Sequence, residues 1–91
     1  MKIQEKKFED AIKLLFIFVD ATEKKAKRTG EGVAPWYYEK LAIIYRKQKL
    51  YKDEVAILER YERQPKGPGA LCKKLAERLV KARQLRDRQS A

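Results

Sequence analysis

The chain has 91 residues, of which 44% are hydrophobic and 40% are charged, and its formal net charge is +10. This length suits a single domain, which we place at residues 1–91, and the apolar content excludes an intrinsically disordered chain. The charge makes an acidic protein surface or a nucleic acid a candidate partner, although it also serves solubility alone.

The first predicted element is one long helix over about residues 4–28. Its apolar stripe, with the roughly 3.6-residue period of a helix, consists of Phe8, Ile12, Leu15, Phe16, Val19 and Ala26. Leu14, Ile17 and Phe18 lie beside this stripe and make the helix apolar on most sides, so it needs cover from more than one direction. We therefore predict that these three residues form the face of a homo-oligomer, with a dimer favoured. A buried strand from Leu14 to Val19 is a rival interpretation, because the stretch is rich in β-branched and aromatic residues.

Two stretches rich in glycine and proline, residues 29–35 and 64–69, divide the remaining chain into three more helices. We predict these helices at about residues 35–49, 51–63 and 70–88, since glycine suits the end of a helix and proline its start. The join between the second and third helices is short, which makes them antiparallel and brings them into contact. The predicted fold is therefore all-α, with about four helices. A central hairpin lies between a long N-terminal helix and a C-terminal capping helix.

Residues 35–68 have the length of a tetratricopeptide repeat, about 34 residues, and a similar pattern of small and large side chains. The residues at the family's spacing are Tyr38, Leu41, Ala42, Tyr45, Glu54, Leu58 and Tyr61, with Pro65 near the closing proline. The segment thus resembles this family, in which the small residue, here Ala42, lets the two helices of a repeat pack closely. Glu54 and Tyr61 depart from the pattern, since alanine and a small residue are usual there.

The stretch from Val33 to Tyr61 also resembles one found in uncharacterised bacterial and phage proteins. That resemblance implies a prokaryotic or viral source and no particular activity. A single repeat cannot bury its own apolar faces, because such repeats normally stack in arrays of three or more. The first and fourth helices must therefore act as its neighbours.

The resemblance also implies a groove that binds a peptide. In this family the first helix of a repeat lines the groove with the face opposite its seam. Here that face comprises Trp36, Glu39, Ile43, Arg46 and Lys47. Trp36 and Ile43 would hold an apolar side chain, and the two cations would pair with a carboxylate. The alternative is that Trp36 and Ile43 pack on a neighbouring helix while the cations are only solvated.

The last helix is strongly basic. Its cations are Lys73, Lys74, Arg78, Lys81, Arg83, Arg86 and Arg88, against the acids Glu77 and Asp87. Lys74, Arg78, Lys81 and Arg88 recur at helical spacing and are candidate contacts to a phosphate backbone. Cations near the end of a helix also suit its dipole, and no aromatic residue lies here to stack a base. Weak, salt-sensitive binding of nucleic acid is therefore the alternative to a solvated face.

The sequence argues against catalysis. It contains no histidine, the commonest general base and metal ligand. Cys72 is the single cysteine, so it cannot form an internal disulfide, and we predict a small core residue in a reducing compartment. The carboxylates are dispersed and placed for pairing one turn away, as Glu59 is with Arg63. We predict no catalytic residue, no metal, no cofactor and no small-molecule substrate.

The most apolar run, Ile12 to Val19, is far shorter than the roughly 20 residues of a membrane span, and no secretory cleavage pattern accompanies it. We therefore expect a cytoplasmic protein without a membrane partner. The function predicted from the sequence is protein–protein interaction, as an adaptor or a self-associating domain. The alternative is a basic accessory protein that contacts nucleic acid through its last helix.

Overall fold

The described part of the chain folds into four α-helices joined by three short connections. A computed structural model describes residues 2–67 and 69–90, with side chains at 7–67 and 69–89. The helices are α1 (Lys2–Thr29), α2 (Pro35–Lys47), α3 (Tyr51–Glu62) and α4 (Ala70–Ser90). The all-α prediction is confirmed, and α1 continues through the segment for which a strand was the rival interpretation. The predicted repeat ends at Pro68, which lies outside the described residues.

Backbone hydrogen bonds explain where α1 and α2 end. Gly30 follows α1 with φ 77° and donates its N–H to the carbonyl of Ala26 at 2.8 Å, the left-handed cap that favours glycine. At the end of α2, Lys49 takes φ 60°, while Leu50 donates to the carbonyl of Tyr45 at 2.8 Å. This second cap makes α2 end at Lys47, two residues before the predicted boundary, and turns the chain into α3.

The two connections rich in glycine and proline lie side by side. The N–H of Val33 donates to the carbonyl of Pro65 at 2.9 Å, and Val33 forms a parallel bridge with Lys66. The N–H of Ala34 donates to the Thr22 hydroxyl at 2.9 Å, which attaches the first connection to α1. Gly32 faces the backbone of residues 66 and 67 so closely that a Cβ atom there would overlap with it. This pairing sets the end of α1 and the starts of α2 and α4 near one another.

Helix α2 is the central helix and packs against the other three, while α3 also packs along α4. The 28-residue α1 spans about 42 Å at 1.5 Å per residue, which matches the longest dimension of the molecule, 41 Å. The buried core consists of Val19, Ala26, Val33, Tyr38, Leu41, Ala42, Tyr45, Val55, Ile57, Leu58, Tyr61, Leu75, Leu79 and Ala82. The core includes six of the residues at the repeat's spacing, which are Tyr38, Leu41, Ala42, Tyr45, Leu58 and Tyr61. Tyr61 fits there because its ring packs on that of Tyr38, with centroids 5.1 Å apart.

Candidate functional site

A buried carboxylate joins three helices. Glu54, on α3, is fully buried, and its nearest partner is the Arg46 guanidinium of α2 at 2.8 Å. Arg78 of α4 approaches the same carboxylate at 3.2 Å, and Arg46 also donates to the backbone carbonyl of Arg78 at 3.3 Å. Arg46 was predicted to line a peptide groove and Arg78 to contact phosphate. Both guanidinium groups are engaged inside the molecule.

A second polar cluster joins α1, α2 and α3. Glu23 accepts hydrogen bonds from the Tyr38 hydroxyl and from Nε of Arg60, both at 2.8 Å, and Arg60 also pairs with Asp20 at 2.8 Å. Burial alone would raise the pKa of Glu23, but the hydrogen bonds from Arg60 and Tyr38 outweigh it and lower that pKa. Burial and the bond to Glu23 raise the pKa of the Tyr38 hydroxyl. These groups hold the helices together.

A continuous apolar surface lies on the outside of α1 and α2. Leu14, Ile17 and Phe18 are between 39% and 62% exposed, and Trp36 is 50% exposed. The Phe18 ring stacks on Tyr37 with centroids 5.1 Å apart, and the Trp36 ring lies 5.7 Å from that of Tyr37. We call these five residues the apolar strip. The sequence singled out its α1 part and Trp36, but Tyr37 joins the two parts through a contact that no local spacing indicates.

A groove of about 660 Å³ opens beside the apolar strip. It lies between the second half of α1, the first connection and the start of α4. Its lining includes Phe18, Ala21, Val33, Trp36, Tyr37, Tyr61, Leu71 and Cys72. Lys25 and Glu31 are the charged residues among those that line it. Cys72, predicted to be a core residue, is half-buried here against the core. The groove therefore suits apolar side chains with polar groups at one edge.

The predicted peptide-binding face of α2 is only partly assembled. Trp36 is half exposed, Ile43 is half-buried and Lys47 is exposed, and their spacing puts them on one side of α2. Glu39 and Arg46 lie one row away, on the side where Arg46 meets Glu54. Lys40, which is absent from the predicted face, also belongs to the exposed row, and its four-residue spacing from Trp36 is the signal that indicates it. Trp36 is thus a surface residue, in contact with Tyr37.

Internal ion pairs also divide the basic residues of α4. Arg83 binds Glu59 of α3 at 3.0 Å, and Arg86 binds Asp87 at 3.2 Å. The expected pairing of Glu59 with Arg63 is wrong, because α4 brings Arg83 to that carboxylate instead. The exposed cations of α4 that have no acidic partner among the described residues are Lys73, Lys74, Lys81 and Arg88. Three of the four members of the predicted phosphate-contacting stripe, Lys74, Lys81 and Arg88, therefore form no ion pair with a described residue.

In the part of the chain that the structure describes, no three His, Cys, Asp or Glu side chains are grouped as a metal site would require. None of the described helices is both long enough and apolar enough to cross a bilayer. No protein-family model matches the chain, and no curated protein or solved structure is significantly similar to it.

Proposed function

We propose that this chain is a helical protein-interaction module without catalytic activity, which binds protein, either a partner or a second copy of the chain, through the apolar strip. The observation that carries the proposal is the exposure of Leu14, Ile17, Phe18 and Trp36 on one continuous surface. Single exposed apolar residues are ordinary, whereas a joined patch with a groove beside it is typical of an interaction site. The stacked rings of Phe18 and Tyr37 hold the surface in place before binding, which lowers the entropic cost of association.

The order of helix packing supports the resemblance to tetratricopeptide arrays. Helix α1 packs on α2, α2 on α3, α3 on α4, and α2 also contacts α4. This is the neighbour pattern of stacked helix pairs, with α2 and α4 as the first helices of successive pairs. In such an arrangement α1 would be the second helix of a pair. The apolar strip would then occupy the place where another helix packs.

The buried charges support a role without catalysis. Glu54 is neutralised by Arg46 and Arg78, and Glu23 by Arg60 with a hydrogen bond from Tyr38. A catalytic acid or base needs access to a substrate in the correct protonation state. Here Glu54 and Glu23 bind side chains of neighbouring helices. Contacts between helices are therefore a sufficient reason for burying these two carboxylates.

The test compares two variants of one kind on two surfaces. Ile17→Asp places a charge in the apolar strip, and Val80→Asp places one on α4, where Val80 is 55% exposed. Each immobilised protein is exposed to a host lysate, and light scattering at low and high salt measures its mass. We expect Ile17→Asp to lose bound protein, or to dissociate a salt-resistant oligomer, while Val80→Asp behaves as the wild type. An unchanged set of bound proteins and an unchanged mass for a folded Ile17→Asp variant would contradict the proposal.

A second candidate function, contact with nucleic acid, has one observation in its favour. Lys74, Lys81 and Arg88 are exposed at seven-residue intervals along one edge of α4. Reversing Lys74 and Lys81 to Glu should then remove retention of DNA or RNA, and the slope of log affinity against log salt should fall by about one per lost phosphate contact. Reversing Lys49 and Lys52, exposed at the α2–α3 turn, is the control of equal charge change. An equal loss of nucleic-acid retention in both double variants would indicate that the net charge, and not this edge of α4, is responsible for binding.

A further inference from the structure

The outer face of α1 carries a row of residues suited to packing against another helix. The row steps alternately by four and three residues through Lys7, Ala11, Leu14, Phe18, Ala21, Lys25 and Arg28. Alternating steps of this size keep side chains on one face along a helix, as in the seam of a coiled coil. The middle of the row is apolar, and its C-terminal end is cationic. Ile17 widens the apolar part, and Phe18 connects it to Tyr37 and Trp36.

The charges beside this surface are predominantly positive. Lys13, Lys24, Lys25, Arg28 and Lys40 are exposed and have no acidic partner among the described residues. The nearby acid Asp20 shares Arg60 with Glu23, so these three groups together keep one negative charge at the side of α1. Among the described residues, Asp10 and Glu31 are further exposed acids close to the row or the groove.

We propose that the occupant of the apolar strip is an amphipathic helix of another protein, with acidic residues next to its apolar face. This inference rests on the proposed function and specifies the partner. Apolar residues of the partner would cover Leu14, Ile17 and Phe18, and a side chain could enter the groove beside Trp36. Carboxylates would lie opposite Lys25 and Arg28, at the C-terminal end of α1. Charge complementarity of this kind selects partners and speeds their association.

Two other occupants fit the surface less well. In a parallel pair of copies, Lys25 and Arg28 would face their own equivalents, so like charges would meet. In an antiparallel pair, the register that sets Arg28 opposite Lys7 also sets Lys25 opposite Asp10, so one repulsive and one attractive contact would form. The net charge of +10 adds to that repulsion. A bilayer surface is flat, whereas the strip borders a groove of about 660 Å³ that a bilayer would leave unfilled. A helical partner can fill the groove with a side chain.

The experiment uses two labelled helical peptides that share one apolar face, with Glu in one and Lys in the other at the flanking positions. Peptide anisotropy measures binding, and the emission of Trp36, the only tryptophan of the chain, locates it. We expect the acidic peptide to bind and to shift Trp36 emission, with an affinity that falls as salt rises. The basic peptide should bind at least about tenfold more weakly.

Charge reversal supplies the matched variants. The double variant Lys25→Glu, Arg28→Glu should bind the acidic peptide on the order of tenfold more weakly than the wild type and should bind the basic peptide more tightly. Lys49→Glu with Lys52→Glu changes the net charge equally at the α2–α3 turn and should have a much smaller effect. If both peptides bind equally, or if the two double variants have equal effects, the partner does not need acidic residues. The apolar strip would then remain a binding surface without charge selectivity. If the Ile17→Asp variant binds the acidic peptide with the affinity of the wild type, the apolar strip is not the binding surface.

Two further results would assign the apolar strip to something other than a partner helix. A wild-type mass of two chains that persists at high salt, with no peptide binding, would assign the strip to a second copy. Cosedimentation with vesicles of anionic phospholipid that Ile17→Asp abolishes, again without peptide binding, would assign it to a membrane surface. Failure to bind peptide, copy and vesicle alike would overturn the inference. The comparison of Ile17→Asp with Val80→Asp in the lysate would then decide separately whether the proposed function stands.

Discussion

Glu54 of α3 and Arg46 of α2 form an ion pair at 2.8 Å although the Glu54 side chain is fully buried. Arg78 of α4 shares the same carboxylate. The two arginine side chains remain 30% and 25% exposed, so each guanidinium can reach water if the carboxylate is removed. The carboxylate cannot reach water if the arginines are removed. This asymmetry decides which change costs more stability.

We expect Glu54→Gln to lower the free energy of unfolding by about 1.5–3 kcal/mol, the usual value for a hydrogen bond to a charged group. The double change Arg46→Met and Arg78→Met should lower it by about 3–5 kcal/mol, because it leaves a buried charge without a partner. Urea denaturation at neutral pH measures both. A larger loss for Glu54→Gln than for the double variant would contradict this interpretation.

Glu23 makes stability depend on acidic pH. Its pKa lies below the ordinary value of 4.5 because Arg60 and Tyr38 bind the charged form. The stabilisation is complete above about pH 4.5 and is lost as the pH falls through the lowered folded-state pKa. We therefore expect Glu23→Gln to be less stable than the wild type at pH 7, with a difference that shrinks on acidification below pH 4.5.

The control for this pH dependence is Glu62→Gln. Glu62 is exposed on α3 and forms no ion pair within the described part of the chain. Denaturation midpoints for the three proteins should be measured at several pH values from neutral to acidic. A Glu23→Gln difference that stays constant across this range would show that its carboxylate contributes no pH-dependent stability.

Lys49 offers a stabilising substitution. It takes φ 60° at the end of α2, a left-handed conformation in which its Cβ is unfavourable and glycine is not. We expect Lys49→Gly to raise the free energy of unfolding by about 0.5–1 kcal/mol, because the roughly 1–2 kcal/mol cost of a left-handed residue with a Cβ exceeds the extra chain entropy that glycine loses on folding. Lys40→Gly, on the exposed face within α2, should lower it by a similar amount. Thermal denaturation of both variants checks the prediction, and a loss of stability on Lys49→Gly would contradict it.

Gly32 and Gly67 form a matched pair across the two connections. A Cβ atom on Gly32 would overlap with the backbone at Lys66 and Gly67, whereas one on Gly67 would meet nothing within 4 Å. We expect Gly32→Ala to cost about 1–3 kcal/mol of stability, because the connections must separate to make room. Gly67→Ala should leave stability unchanged or raise it by up to about 1 kcal/mol, because alanine restricts the unfolded chain. Urea midpoints give the comparison, and equal effects would argue against close packing of the connections.

Separation of the two connections should also change the shape of the groove. Val33, between Gly32 and Ala34, lines it and is held by the carbonyl of Pro65. We therefore expect Gly32→Ala to change the emission of Trp36, which lies at the edge of the same groove. Gly67→Ala should leave the emission unchanged. Identical spectra in the two variants would indicate that the shape of the groove does not depend on this pairing.

Local features of the sequence determined the helices and most of their ends. Three such features are the 3.6-residue spacing in residues 4–28, Gly30 after α1 and Pro35 at the start of α2. Each depends on interactions within about one helical turn, so it can be recognised in the sequence without information on tertiary contacts. The surplus of apolar residues around Ile17 was visible for the same reason. It exceeds what one stripe of a helix can bury, and in the structure it is exposed.

Only the tertiary structure decided which charges are free and where the groove lies. Arg46 is eight residues from Glu54, Arg78 is 24 from it, and Arg60 is 37 from Glu23, so no local spacing indicates these pairs. Glu59 selects Arg83 over Arg63 because α4 packs along α3 and places that guanidinium beside it. Helix formation is set by interactions within a few residues. The partners of long side chains, and the surface left without a partner, are set by how the helices pack.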